Sequence, residues 1–162
     1  MYYNKFMIEL NIPGKEKIQL AHLVSDVNGT LAINGILVDG VEILLKKLTR
    51  KIEIHLITAN THGQQEVIDQ QLGLKAVILS RGDEAVQKAK YVEQLGQQKV
   101  IAIGQGANDA LMLKMAKIGI GVISQEGLAV EALLSADIIM PDIISALNLL
   151  ENPSFMVATL RK

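Results

Sequence analysis

Short apolar runs at residues 52–57, 75–79, 100–103, 118–123 and 137–140 are each preceded or followed by a segment with helical spacing. The clearest helical stretch puts Val41, Leu44, Leu45 and Leu48 at i, i+3, i+4 and i+7, with Asp39 placed to cap it. Further helices are expected over 64–72, 83–95, from about 108 to 117, and over 127–134. A last one carries Ile143, Ala146, Leu147 and Leu150 on one face. Strand–helix alternation of this kind builds a parallel sheet covered on both faces. The fold class is therefore α/β, a three-layer α/β/α sandwich around a Rossmann-like parallel sheet. Function in such a sheet sits at the carboxyl ends of the strands.

Ahead of the alternation, residues 6–12 read as a strand, Pro13-Gly14-Lys15 as a turn, and residues 18–20 as a strand pairing back. Leu23-Val24 then begins the sheet proper. At 162 residues one domain is expected, with an N-terminal strand or hairpin over 1–22, a core over about 23–142 and a C-terminal helix and tail over 142–162. Sixteen basic residues against seventeen acidic ones leave no basic face for nucleic acid, and 3% aromatics supply no stacking platform. The absence of cysteine excludes disulfides, thiolate metal sites and a cysteine nucleophile. The first residues lack a signal pattern and no apolar run reaches membrane length, so a soluble, cytoplasmic protein that binds no membrane is expected.

The sharpest chemical signal is Asp26-Val27-Asn28-Gly29-Thr30-Leu31, directly after an apolar strand. A carboxylate there points into the crevice, Gly29 permits a tight backbone, and Thr30 can bond a phosphate or brace the loop. Residues 32–38 alternate around Asn34-Gly35, a hairpin signal. Downstream, Thr58 follows Leu56-Ile57, Lys88 sits on a helix, and Gly104-Gln105-Gly106-Ala107-Asn108-Asp109 follows a strand. A nucleophilic carboxylate, a hydroxyl, a cation and a second carboxylate in this order suit phosphoryl transfer. Taken singly, each has a structural role open to it: a Gly turn, a helix cap, a solvated lysine.

As a set these motifs resemble the haloacid-dehalogenase-like superfamily, and most of all its soluble P-type-ATPase-like branch. The Asp26 block matches the first motif, Thr58 the second, Lys88 the third, and 104–109 the fourth, over roughly residues 23–142. The resemblance implies a hydrolase of phosphatase type with Asp26 as nucleophile and Asn28, Thr58 and Lys88 around it. It implies phosphate binding by Gly29, Thr30, Thr58, Ala59 and Lys88, and Mg²⁺ held by Asp26, Asn28, Gln105 and Asp109. Gly104, Gly106 and Asn108 complete the fourth motif. It also implies the strand order 5-4-1-2-3.

Two positions depart from the family pattern. Asn28 stands where family phosphatases carry a second aspartate as acid/base, and Gln105 where the family has a magnesium-binding aspartate. Weak turnover and weak Mg²⁺ affinity follow as expectations. The gaps from Leu31 to Thr58 and from Thr58 to Lys88 have no room for a cap domain. An open site suits a phosphorylated small molecule or a phosphoprotein, and self-association is expected to cover apolar surface.

Two other readings stay open. One is a catalytically inactive descendant that binds a phosphate ligand or a protein partner. The other is nucleotide binding, with Glu126 at a ribose-binding distance after Gly104-x-Gly106. The three histidines read as structural, His55 within a strand, His22 before one and His62 after the Thr58 loop; their spacing makes no zinc pattern. Met112 and Met115 read as core filler.

Overall fold

A computed structural model describes residues 6–60 and 63–162; the expectation for His62 lies outside them. The sheet contains β3 (His22–Asp26), β6 (Glu53–Thr58), β7 (Val77–Ile78), β8 (Val100–Gly104), β9 (Ile118–Val122) and β10 (Ile138–Met140). Its order is β10-β9-β8-β3-β6-β7, with every pairing parallel. This is the expected 5-4-1-2-3 arrangement with β10 added at one edge. The chain leaves β3 to one side for β6 and β7, then crosses back to β8. The carboxyl ends of β3 and β8 therefore flank the switch point where α/β sheets bind ligands.

Alternation along β3 divides the core. Leu23 joins Leu56, Ile101, Ile103 and Ile120 on one face, against α1 (Val41–Leu48) and α6 (Ile143–Glu151). Ile143, Ala146, Leu147 and Leu150 of α6 are all buried there, as their spacing predicts. Val24 joins Ile57, Val100 and Ala102 on the opposite face. That face is covered by α3 (Glu84–Gln94), α4 (Ala110–Met115) and α5 (Val130–Ser135) through Val92, Met112, Leu113 and Ala132. α2 (Gln65–Leu72) contributes Ile68 and Leu72 to the first face.

Two small hairpins flank the sheet. β1 (Ile8–Leu10) pairs antiparallel with β2 (Ile18–Leu20), and their apolar side chains extend the first face. β4 (Ala32–Ile33) and β5 (Ile36–Leu37) are joined by Asn34 and Gly35, both at positive φ (51° and 76°), the twist a two-residue hairpin turn needs. Among the described residues no cap domain stands over the sheet's carboxyl end, and no single helix is long and apolar enough to cross a membrane.

Several local expectations need correction. Gly40, not Asp39, occupies the cap position of α1, and no side chain bonds its first amides. His22 is the first residue of β3 rather than its lead-in. The 108–117 segment splits into a 3₁₀ turn (Ala107–Asp109) and the short α4. The tail forms a further helix, α7 (Pro153–Leu160), which buries Met156 against the first core. Close packing of β9 on α4 sets one testable limit: a Cβ on Gly119 would overlap the main-chain carbonyl of Leu113, which cannot swing aside. Gly119→Ala is expected to lower stability by about 1–3 kcal/mol, read as a fall in the urea midpoint. An unchanged midpoint would mean that α4 shifts freely.

Candidate active site

β3 delivers Asp26 at its carboxyl end, and the next residues curl back tightly. The Val27 carbonyl accepts from the amides of Thr30, Leu31 and Ala32. Gly29 sits at φ 82°, and a Cβ there would overlap the Glu126 carboxylate and the Gln105 side-chain amide. The positive φ favours glycine here, whereas the two flexible side-chain ends could move aside for a Cβ. The curl returns the Thr30 hydroxyl to Asp26, donating to Oδ2 at 3.0 Å.

Lys88 reaches down from α3 between two carboxylates. Its Nζ donates to Asp26 Oδ1 and to Asp109 Oδ1, both at 2.7 Å. The two aspartates are therefore no farther apart than twice that distance, close enough for one site. Lys88 is only 1% exposed and Asp109 fully buried. Asp109 Oδ2 also accepts from the amides of Gln105 and Gly106, each at 2.9 Å. Asp109 is satisfied on both oxygens, and it fixes the 104–109 loop around the ammonium.

Charge and burial set the protonation of this cluster. Burial raises the Asp26 carboxyl, and Asp109 adds to the effect; Lys88 and Thr30 oppose it, and the result is about 7. Burial alone would lower the Lys88 ammonium, but the two carboxylates outweigh it and hold the group well above its ordinary value. Lys88 is a cation throughout the physiological range.

Beside this trio, Asn28 Nδ2 donates to Thr58 Oγ1 at 2.9 Å, and the Asn60 amide donates to the same oxygen at 2.9 Å. A hydroxyl that accepts twice keeps its own proton to give. The cavity above Asp26 has a volume of about 180 Å³ and is lined by Asp26, Asn28, Ala59, Lys88, Gln105 and Asn108, with Glu84 and Glu126. The structure thus gathers the residues singled out in sequence, with Thr30, Thr58 and Asp109 forming the buried floor.

Two carboxylates were missed. Glu84 opens α3 and accepts from Asn108 Nδ2 at 2.9 Å. Glu126, noted in sequence only at a ribose-binding distance, is brought over Gly29 by the loop after β9. The signal that could have found it is its place after a strand's carboxyl end. The acidic groups lining the cavity are the carboxylates of Asp26, Glu84 and Glu126. This all-oxygen set fits a hard divalent cation. A second hollow of about 330 Å³ opens alongside, between the β4–β5 hairpin and the loops after β9 and β10, lined in part by Ile33, Val38, Ile123 and Pro141.

No protein-family model matches the chain. An uncharacterised protein of Methanocaldococcus jannaschii is 45% identical over 84 residues, 49% of this chain and 90% of that protein. Phospholipid-transporting ATPase ID of Homo sapiens is 41% identical over 75 residues, 44% of this chain but only 6% of its own length. Among solved structures, a 3-deoxy-D-manno-octulosonate 8-phosphate phosphatase of Moraxella catarrhalis superposes with a TM-score of 0.61 at 18% identity. The match covers 88% of this chain and 94% of that one, whose crystals hold magnesium, phosphate and a sugar acid. A zinc-transporting PIB-type ATPase superposes with a TM-score of 0.61 at 25% identity, over 76% of this chain and 20% of the transporter. The chain thus spans a small fraction of the ATPases it matches.

Proposed function

We propose that the chain, whose fold its phosphatase neighbours share, is a haloacid-dehalogenase-like phosphohydrolase or phosphoacceptor that uses Asp26 as its nucleophile and turns over slowly. The observation that carries this reading is the buried Asp26–Lys88–Asp109 trio at the sheet's switch point. One Asp26 oxygen attacks phosphorus, the bond from phosphorus to the leaving oxygen breaks, and an aspartyl phosphate forms. Lys88 offsets the charge on Asp26 and on the incoming phosphoryl oxygens. The Thr58 hydroxyl has a proton to give to one of those oxygens, held in place by Asn28 and the Asn60 amide.

A phosphate entering alone would meet Asp26, Glu84 and Glu126 with one ammonium to oppose them, so the site as built calls for a countercation. The residues that would hold Mg²⁺ are Asp26, the main-chain carbonyl of Asn28 and Gln105, whereas Asp109, fully buried with its oxygens taken by Lys88 and the loop amides, does not line the cavity. Bound there, the ion supplies charge neutralisation on the phosphoryl oxygens. The apolar hollow beside the cavity suits the organic part of a phosphorylated small molecule, and the lack of a cap leaves room for a phosphoprotein.

A second reading is supported by one contact. Asn28 is spent on orienting Thr58, so the position that would exchange a proton is a fixed donor instead. The site then binds phosphate, or keeps a phosphoryl group, without releasing it. A panel of phosphomonoesters with and without Mg²⁺, run beside beryllofluoride binding followed by fluorine NMR, separates the two. Both readings expect an adduct that Asp26→Asn abolishes; only the first expects phosphate release. A native chain that forms no adduct and releases no phosphate would refute both.

A further inference from the structure

At the other end of the same strands lies a cluster unconnected with the aspartate site. The parallel register sets His22 opposite Glu53, and His55 follows Glu53 by two residues on the same face of β6. His22 Nδ1 lies 3.1 Å from His55 Nε2 and 3.3 Å from Glu53 Oε2; His55 Nε2 lies 3.6 Å from Glu53 Oε1. We propose that His22, Glu53 and His55 form a three-ligand site for a borderline divalent metal ion of the zinc class, with the fourth position open to solvent.

Ligand atoms around a tetrahedral zinc ion, with bonds of about 2.0–2.1 Å, stand about 3.3 Å apart. The His22–His55 and His22–Glu53 Oε2 separations, 3.1 and 3.3 Å, match that edge length, and Glu53 turns its other oxygen, Oε1, to His55 at 3.6 Å. Hydrogen bonding alone serves the arrangement poorly. A single N–H can bridge at most two of the three pairs, and protons on both facing nitrogens would collide. A cation at the centre serves all three at once.

The surroundings favour the same reading. The second nitrogen of His55, Nδ1, lies 2.9 Å from the Tyr91 hydroxyl, and the tautomer with a proton on Nδ1 leaves Nε2 free for a metal. Such an outer partner orients a ligating ring. Glu53 is 65% exposed at its side chain, which leaves the solvent side of the cluster open for entry and for a water ligand. Two imidazoles and one carboxylate suit zinc, cobalt or nickel better than magnesium.

The site would join β3 and β6 at their amino ends and, through Tyr91, reach α3 one turn beyond Lys88. Its occupant therefore braces the two elements that carry Asp26 and Lys88 without touching either.

Cobalt(II) added to the full-length chain tests this at pH 7.5 with no chelator and excess Mg²⁺ present. The expected result is one equivalent bound, with the intense visible absorption of four-coordinate cobalt, displaced by zinc. Zinc should also raise the melting temperature. His22→Ala with His55→Ala should lose the band, Asp26→Asn should keep it, and Tyr91→Phe should weaken binding about 10–100-fold while preserving the spectrum. Absence of cobalt and zinc binding by the native chain at millimolar metal would overturn the proposal, whatever the folding of the variants. So would a band that survives the double histidine change or disappears with Asp26→Asn.

Discussion

Lys88→Met should destabilise the chain by about 3–5 kcal/mol near neutral pH, the cost of leaving buried charge without its partner. Methionine fills the same volume, so little of the loss is packing. What disappears is the only cation among the described residues that touches Asp26 and Asp109. The pH dependence identifies the cause. In the unfolded chain Asp26 ionises near its ordinary value, while in the fold its carboxyl is raised to about 7. Between those values the unfolded state has released a proton that the folded state retains, so stability falls as pH rises and levels off above about 7. Without Lys88 the folded value climbs further, and the fall continues past neutrality. Lys88 itself is raised, so its contribution is present across this range and is lost only as pH rises through its own folded value, above the ordinary lysine range. The loss on substitution should therefore be larger at pH 8 than at pH 5 in urea titrations. An equal loss at both would mean that Lys88 acts through packing alone.

That trio explains what sequence could and could not reveal. Asp26 and the Asn34-Gly35 turn are legible because their chemistry is local: a strand end followed by glycine, and a dipeptide that accepts positive φ. Lys88 could be placed on a helix, but its burial depends on α3 packing over β3, which one-dimensional spacing does not encode. The same limit hid Glu126, which reaches the site only because β9 lies two strands from β3. It also hid the histidine pair. Zinc patterns are sought as spacings along the chain, whereas His22 meets Glu53 and His55 across a strand pairing. Misplaced boundaries have smaller causes. Aspartate's preference for helix caps pointed to Asp39, but the chain turns through Gly40 at φ 90° and starts the helix one residue later. The helix α7 was missed because its apolar residues form no single stripe: Met156 is buried while Phe155 is exposed.

Asn28→Asp combined with Gln105→Asp should raise Mg²⁺-dependent phosphate release from a small aryl phosphate by about 10²–10⁴, the usual worth of a general acid. Neither change alone should achieve it. A carboxyl group at 28 gains a proton to exchange, but it loses the amide that now donates to Thr58, so that hydroxyl must turn and donate instead. A carboxylate at 105 strengthens the cation site that the phosphoryl oxygens need, yet leaves the leaving group without an acid. Groups that act as a unit combine non-additively. Stability supplies an independent readout. The double change adds two negative charges to a cavity that already holds Asp26, Glu84 and Glu126. The melting temperature should fall without Mg²⁺ and recover with it, because a bound cation stabilises the state that binds it. Recovery without a gain in turnover would favour the phosphate-binding reading, since the metal would be present and the chemistry still absent. A native chain that already hydrolyses quickly would overturn the role assigned to Asn28. Glu126, placed over Gly29 at the cavity wall, would then be the group able to serve the leaving oxygen, and Glu126→Gln should remove most of that activity while leaving the beryllofluoride adduct intact.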